Sequence, residues 1–404
     1  MRLLFVATTF SVIAARWIEQ LADTGWDIHV YSTNEDVIHP YFRNVTVYTK
    51  GSSSEAPRQI EHVTLRSAWP LKRGRARLRQ YFPRIADVLD PAPPQHIANL
   101  IRKLKPDCVH SLKMQNEGYY VLEAKNLLAN QFQTTWIHSM WGGDIYMFGH
   151  INDHVRYIKD VLSSCDYLLA GNPRDAELAR QFGYTGELLG IIPSGGGWPI
   201  AQMRQKTINP PSQRNIIAVK GYQGDPGGKV LTALEAIARC GTIFAGYTIV
   251  IHSAIGTYAS SHLADVQKKA TEISQRCNLP IEFLPYGPPE KIWELFGQSR
   301  LAIAISNADG TPNTMLEAMI MGAYPIQSDT GGLDQWIEHG FNGALVPFDD
   351  PVAIARAIET SLKDDRLVDQ AAQTNMLKTA ERIDRSVIQA RVIAMYQQIC
   401  KSNP

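Results

Sequence analysis

The stretch Leu301-Ala302-Ile303-Ala304-Ile305-Ser306-Asn307-Ala308-Asp309-Gly310-Thr311-Pro312-Asn313-Thr314-Met315-Leu316-Glu317-Ala318-Met319 passes from one backbone period to another. Its first five residues are an unbroken apolar run, the pattern of a strand covered on both faces of a parallel sheet. Helical spacing begins at 312. Thr311 suits the N-cap, Pro312 the first helical position, and Gly310 a close approach of backbone. Gly322 ends the helix, and a further apolar strand follows at 324–327. Buried strand, tight turn, capped helix and buried strand make one βαβ unit.

The same alternation extends in both directions. Towards the N-terminus, strands are expected at 215–219, 247–252 and 280–284, with helices at 228–239, 261–275 and 288–297. Helices at 351–362, 365–380 and 385–399 close the chain. The first half repeats the scheme with strands at 2–7, 27–32, 45–49, 60–65, 107–110, 134–138, 167–170 and 188–192. Helical patterns at 12–24, 94–104, 119–128, 151–163 and 174–182 separate most of them. Between the halves, Pro193–Gly197 and Asn209-Pro210-Pro211-Ser212 read as a connection. The fold class is therefore α/β, two doubly wound parallel-sheet domains. Their expected extents are 1–200 and 201–384, with 385–404 a C-terminal helix returning to the first domain.

The chain's 404 residues suit two domains of roughly 200. Hydrophobic residues make up 45% and charged residues 20%, ordinary for a water-exposed globular protein. A net charge of +1 argues against a broad nucleic-acid footprint. The five cysteines are scattered, without Cys-x-x-Cys spacing, and point to a reducing compartment and a cytoplasmic location. Residues 1–24 read as strand, turn and amphipathic helix, not as a leader peptide, because Thr8, Thr9 and Ser11 interrupt the apolar run.

Ligands of doubly wound sheets bind beyond the carboxyl ends of the strands. The N-terminus of the 312–321 helix offers backbone N–H groups and a positive dipole end, suited to phosphate. Glu317, about one and a half turns inside, would repel phosphate but suits a hydroxyl such as that of a ribose. Asp309, before the cap, suits sugar hydroxyls. The plainer alternative for the same pattern is a capped, half-buried surface helix.

Asp309 to Glu317 resembles the E-x7-E donor motif of family-4 glycosyltransferases, with Asp in the first acidic position. Leu316-Glu317-Ala318-Met319, Gly322, Pro325-Ile326, Ser328, Gly331-Gly332 and Gly343-Ala344-Leu345-Val346 are similar to that family too. So are Lys105-Pro106-Asp107-Cys108-Val109-His110 and Ile192-Pro193-Ser194-Gly195. The resemblance implies the GT-B fold, in which two Rossmann-like domains face a cleft. It also implies transfer from a nucleoside-diphosphate sugar with retention of configuration, without metal or cofactor. The acceptor would be a glycan, a lipid-linked or a small molecule, in cell-surface polysaccharide or glycolipid assembly. An epimerase or phosphorylase of the same fold, or a non-catalytic nucleotide-sugar binding module, remains an alternative.

On this resemblance the donor lies at Gly310, Thr311, Pro312, Asn313, Thr314 and Glu317, with Asp309 at the transferred sugar. Family members carry two cations in the loop that here reads Lys220-Gly221-Tyr222-Gln223-Gly224-Asp225-Pro226-Gly227-Gly228-Lys229. Lys220 and Lys229 are the candidates, or else solvated loop charges. The family's Gly-Gly pair after the first strand is missing, which leaves Ser11 to cap the helix or to meet phosphate. In His138-Ser139-Met140-Trp141-Gly142-Gly143-Asp144, the resemblance puts Asp144 near the sugar or in support of its loop. Trp141, His138 and His110 fall on the acceptor side. Finally, Lys72, Arg73, Arg75, Arg77 and Arg79 form a basic cluster: a solvated helix start, or a foothold for an anionic membrane surface or acidic acceptor.

Overall fold

The computed structural model describes residues 1–34, 37–49, 63–67, 92–207, 209–224, 227–253 and 262–401. The chain divides into two units, one comprising 1–197 with the C-terminal segment from 385, the other 198–384. The strands of the first are β1 (Arg2–Ala7), β2 (Asp27–Ser32), β3 (Val45–Thr49), β4 (Val63–Ser67), β5 (Cys108–Leu112), β6 (Thr135–Ser139), β7 (Tyr167–Ala170) and β8 (Glu187–Ile191). They form a parallel sheet in the order β4-β3-β2-β1-β5-β6-β7-β8. Every residue of β5 and β6 is buried, as befits central strands covered by helices on both faces.

The second unit holds β9 (Ile216–Lys220), β10 (Thr248–His252), β11 (Ile281–Phe283), β12 (Ser299–Ala304), β13 (Tyr324–Ser328) and β14 (Ala344–Val346). Their order is β11-β10-β9-β12-β13-β14, again parallel throughout. Both sheets are doubly wound: strand order reverses between β1 and β5 in the first and between β9 and β12 in the second. No helix among the described residues is long and apolar enough to cross a membrane.

Differences from the sequence reading have local causes. The helix expected over 12–24 is regular only over Val12–Glu19, because its last turn tightens into bonds such as Ala22 N–H to Glu19 O. The helix expected from 312 starts at Asn313. β12 begins at Ser299, earlier than the apolar run suggests, because Arg300 is buried there in full. Its guanidinium donates to the carbonyls of Ser361 and Ser212 and lies 2.7 Å from Asp365 Oδ1. Trp198–Ile200 belong to the second unit, where Trp198 is fully buried.

The C-terminal helix, Arg385–Lys401, packs into the core of the first unit through Ile388, Val392, Tyr396 and Ile399. Tyr396 Oη accepts from Trp17 Nε1 at 3.1 Å and lies 2.5 Å from His110 Nδ1. Burial holds the His110 pKa well below its ordinary value, so the ring is neutral. In a neutral ring one nitrogen donates and the other accepts, so Tyr396 Oη and Ser139 Oγ, 2.7 Å from Nε2, take complementary roles. Replacing Tyr396 by Phe leaves two buried ring nitrogens without this partner. Unfolding in denaturant should show a loss of about 1–3 kcal/mol; an unchanged midpoint would mean the helix is held by apolar packing alone.

Candidate active site

In the second unit the reversal point puts the end of β9 beside the loop after β12. Lys220 is the last residue of β9, and its Nζ lies 2.9 Å from Asp309 Oδ2. The two side chains are 19% and 30% exposed, so the pair sits in a crevice open to solvent. Thr330 Oγ1 donates to the Asp309 carbonyl. Ser328 Oγ accepts from Ser306 N at 2.8 Å and donates to Ser306 O at 2.6 Å, tying β13 to the root of the loop.

The glycine-containing loop after β9 is laced to the same segment. Gly227 N donates to Asn307 Oδ1 at 2.7 Å, Asn307 N to Gly227 O at 3.0 Å, and Lys229 N to Ile305 O at 2.8 Å. A Cβ on Gly228 would stand 2.2 Å from Tyr222 O, so only glycine fits there. Lys229 falls at the start of the helix Val230–Cys240, with its backbone in this lacing. Gly227 and Lys229 are therefore tied to the segment from Ile305 to Asn307.

Pro312, not Thr311, is the N-cap of the helix Asn313–Ile320, and no side chain caps it. This corrects the expected roles of both residues. Pro312 has ψ 132°, which keeps it out of the helix and moves the start one residue on. The first N–H groups of the helix, at Asn313 and Thr314, adjoin Gly310 and Thr311, and the N-cap Pro312 gives them no side-chain bond. An anion bound there would meet backbone donors and the positive dipole end. Glu317, half-buried further along, accepts from Trp198 Nε1 at 3.1 Å through Oε1. Trp198 carries no motif signal, and only the fold brings it 119 positions to its partner.

In the first unit Ser11 acts as a helix cap, its Oγ accepting from Ile13 N and Ala14 N. Asp144 is buried. Its Oδ2 accepts from Trp141 N at 2.8 Å and Met114 N at 2.9 Å, stapling the turn after β6 to the turn after β5. Both bonds run to backbone of the turns themselves. His110 on β5 and His138 on β6 are corrections: both side chains are buried in the packing of the sheet, not presented to an acceptor. His138 Nδ1 pairs with Ser111 Oγ at 2.8 Å, and desolvation pushes its pKa down to about 3. The Trp141 indole is half-buried against the core. Unforeseen by motif is Glu117, 1% exposed, whose Oε1 accepts from Thr8 Oγ1 and Thr33 Oγ1, each at 2.6 Å. It links the ends of β1, β2 and β5. The cluster Lys72, Arg73, Arg75, Arg77 and Arg79 lies outside the described residues. Among the described residues no group of three or more His, Cys, Asp or Glu is arranged to hold a metal ion.

Several solved structures share this arrangement. Sucrose-phosphate synthase (tll1590) from Thermosynechococcus elongatus aligns with a TM-score of 0.71 at 17% identity, over 100% of both chains. Anabaena Alr3699/HepE, in complex with UDP and glucose, gives 0.68 at 14% identity, covering 98% of this chain and 99% of that one. A UDP-forming alpha,alpha-trehalose-phosphate synthase from Burkholderia xenovorans gives 0.68 at 15% identity, covering 98% and 99%. At such identities the likeness is one of fold, and that fold is GT-B, the two-Rossmann-domain architecture of a large class of glycosyltransferases. Residues 256–380, within the second unit, match the family model described as Glycosyl transferases group 1. No curated protein matches the sequence.

Burial raises the Asp144 pKa from 3.8 to about 7, against the two N–H donors that favour its charged form. A carboxyl whose folded pKa is raised contributes most below its unfolded value, and the contribution fades as pH climbs through the folded one. The first unit should therefore lose stability between about pH 4 and 7 through this residue. Asp144→Asn retains an acceptor oxygen and cannot ionise, so it should flatten that slope. Melting temperatures across the range check this; parallel slopes in both proteins would refute it.

Proposed function

We propose that the chain is a retaining glycosyltransferase of family 4, moving a sugar from a nucleoside-diphosphate sugar to a glycan, lipid-linked or small-molecule acceptor without help from a metal. The Lys220–Asp309 contact at the reversal point of the second sheet carries the reading. It sets a cation and a carboxylate side by side at the place where doubly wound sheets take ligands, next to a helix start with no side-chain cap. UDP and UDP-glucose, found in the HepE structures, are the natural first probes.

In this reading the diphosphate lies against the N–H groups of Asn313 and Thr314, with Lys220 beside it and Lys229 as a second cation. The bond from the anomeric carbon to the β-phosphate oxygen breaks as the acceptor oxygen attacks. The departing phosphate gains negative charge and takes the acceptor proton. Fixed N–H groups and an ammonium stabilise that charge because they need not reorganise. Asp309 holds hydroxyls of the transferred sugar, and Glu317, fixed by Trp198, holds the ribose. Thr311, Pro312 and Gly310 shape the turn over the phosphates. Acceptor binding falls to the first unit, with Trp141 as a candidate platform. Assembly of cell-surface polysaccharide or glycolipid at the cytoplasmic face of a membrane fits the basic cluster at Lys72–Arg79.

Three variants separate these roles. Lys220→Ala should lower kcat about a hundredfold, the scale of one preorganised electrostatic contact. Glu317→Ala should weaken UDP binding by about 1.5–3 kcal/mol, the scale of a hydrogen bond to a charged group. Asp309→Ala should depress turnover while binding bare UDP as tightly as the parent or up to about 1 kcal/mol more tightly, because Lys220 loses a half-exposed partner. Calorimetry with UDP beside steady-state rates reads all three. Equal UDP affinity in Glu317→Ala, or full turnover in Lys220→Ala, would overturn the assignment concerned.

A further inference from the structure

The first unit contains a further recess, on one face of its sheet near the carboxyl ends of β2, β3 and β4. It is a pocket of about 500 Å³ lined by Tyr31, Tyr48, Arg66, His96, Leu100 and Lys103, with Asn99 at its edge. Its floor is one row across the sheet, since Tyr31 on β2 pairs in register with Tyr48 on β3, and Tyr48 with Arg66 on β4. Its wall is one face of the helix Pro93–Leu104, where His96, Asn99, Leu100 and Lys103 recur at helical spacing. The volume falls within the range of small-ligand sites, about 300–1,000 Å³.

The described lining is of one sign. Arg66 from the floor and Lys103 from the wall bring two cations, and no carboxylate is among the described lining residues. The nearest acid on the floor strands, Asp27, is engaged by Arg2 Nε at 2.5 Å and by His29 Nε2 at 2.9 Å. His29 Nδ1 in turn lies 3.3 Å from Tyr48 Oη, which fixes that ring. Tyr31 and His96 present tilted rings with centroids 6.3 Å apart. Cations at the rim, flat rings on the floor and an amide edge suit a ligand with an anionic group on a hydroxyl-bearing ring.

We propose that this pocket binds a phosphorylated sugar, its phosphate between Arg66 and Lys103 and its ring against His96 and the open edge of Tyr48. The phosphate arrives either on a free sugar phosphate or on a phosphate-linked lipid carrier. The site is independent of the donor reading, because none of its residues belongs to the second unit.

Calorimetry on the full chain with glucose 6-phosphate, glucose and inorganic phosphate tests it. Glucose 6-phosphate should bind at least tenfold more tightly than either of the others. The double change Arg66→Gln and Lys103→Gln should weaken it at least tenfold. Both side chains are exposed, so melting temperature and UDP affinity should stay put. Lys220→Ala should leave glucose 6-phosphate affinity unaltered, which separates this pocket from the donor site. In a second arm, flotation with otherwise neutral vesicles containing a glucosyl polyprenyl phosphate identifies the lipid carrier as the source if the parent floats and the double variant does not. Absence of flotation assigns the free sugar phosphate. Undiminished glucose 6-phosphate binding in the double variant would overturn the proposal. Equal affinity for inorganic phosphate would overturn its sugar part.

Discussion

Reversal of strand order between β9 and β12 is the constraint from which the site in the second unit follows. Adjacent parallel strands that send their following helices to opposite faces leave a crevice at their carboxyl ends. Lys220 ends one of those strands and Asp309 stands five residues beyond the other, so their 2.9 Å contact spans the crevice. The backbone is committed to holding it: the Gly227–Asn307 bonds, the Ser306–Ser328 pair and the Thr330 bond to the Asp309 carbonyl all brace this rim. Side chains so braced lose little freedom when a ligand arrives, which favours both binding and transition-state stabilisation.

The first unit solves the same topological problem with different chemistry. Its reversal point, between β1 and β5, holds Glu117 under two threonine hydroxyls instead of a lysine facing an aspartate. Burial pushes the Glu117 carboxyl above its usual range. Asp144 sits close by, bonded to Met114 N and Trp141 N, and is raised for the same reason. Two carboxyls with raised pKa thus lie buried at this strand-end region. His110, Tyr396, Trp17 and Ser139 form the buried polar chain that fastens the C-terminal helix to this unit. The histidines of the motif thus serve packing.

Legibility from the sequence followed the length scale of the signal. Buried parallel strands announce themselves as apolar runs, because both faces are covered, so β1, β2, β3 and β7 fall where periodicity puts them. β12 shows the limit. A fully buried arginine at position 300, satisfied by carbonyls 61 and 88 positions away, looks like a strand boundary to any local reading. The helix start at Asn313 shows another, since Thr311 and Pro312 together make a good local cap, yet the φ and ψ of Pro312 follow from how the turn joins β12 to the helix.

Sequence by itself determined the α/β alternation, the two doubly wound halves and the motif from Asp309 to Glu317, since period, turn chemistry and residue type are local properties. Tertiary structure alone decided which side chains meet. It paired Lys220 with Asp309 across 89 positions and Trp198 with Glu317 across 119, and it buried His110 and His138 in hydrogen-bond chains. It also set Tyr31, Tyr48 and Arg66 in one row opposite Lys103. The physical reason is that strand order and register, which set these meetings, are fixed by how apolar faces pack over the whole sheet, a quantity that no short window of residues contains.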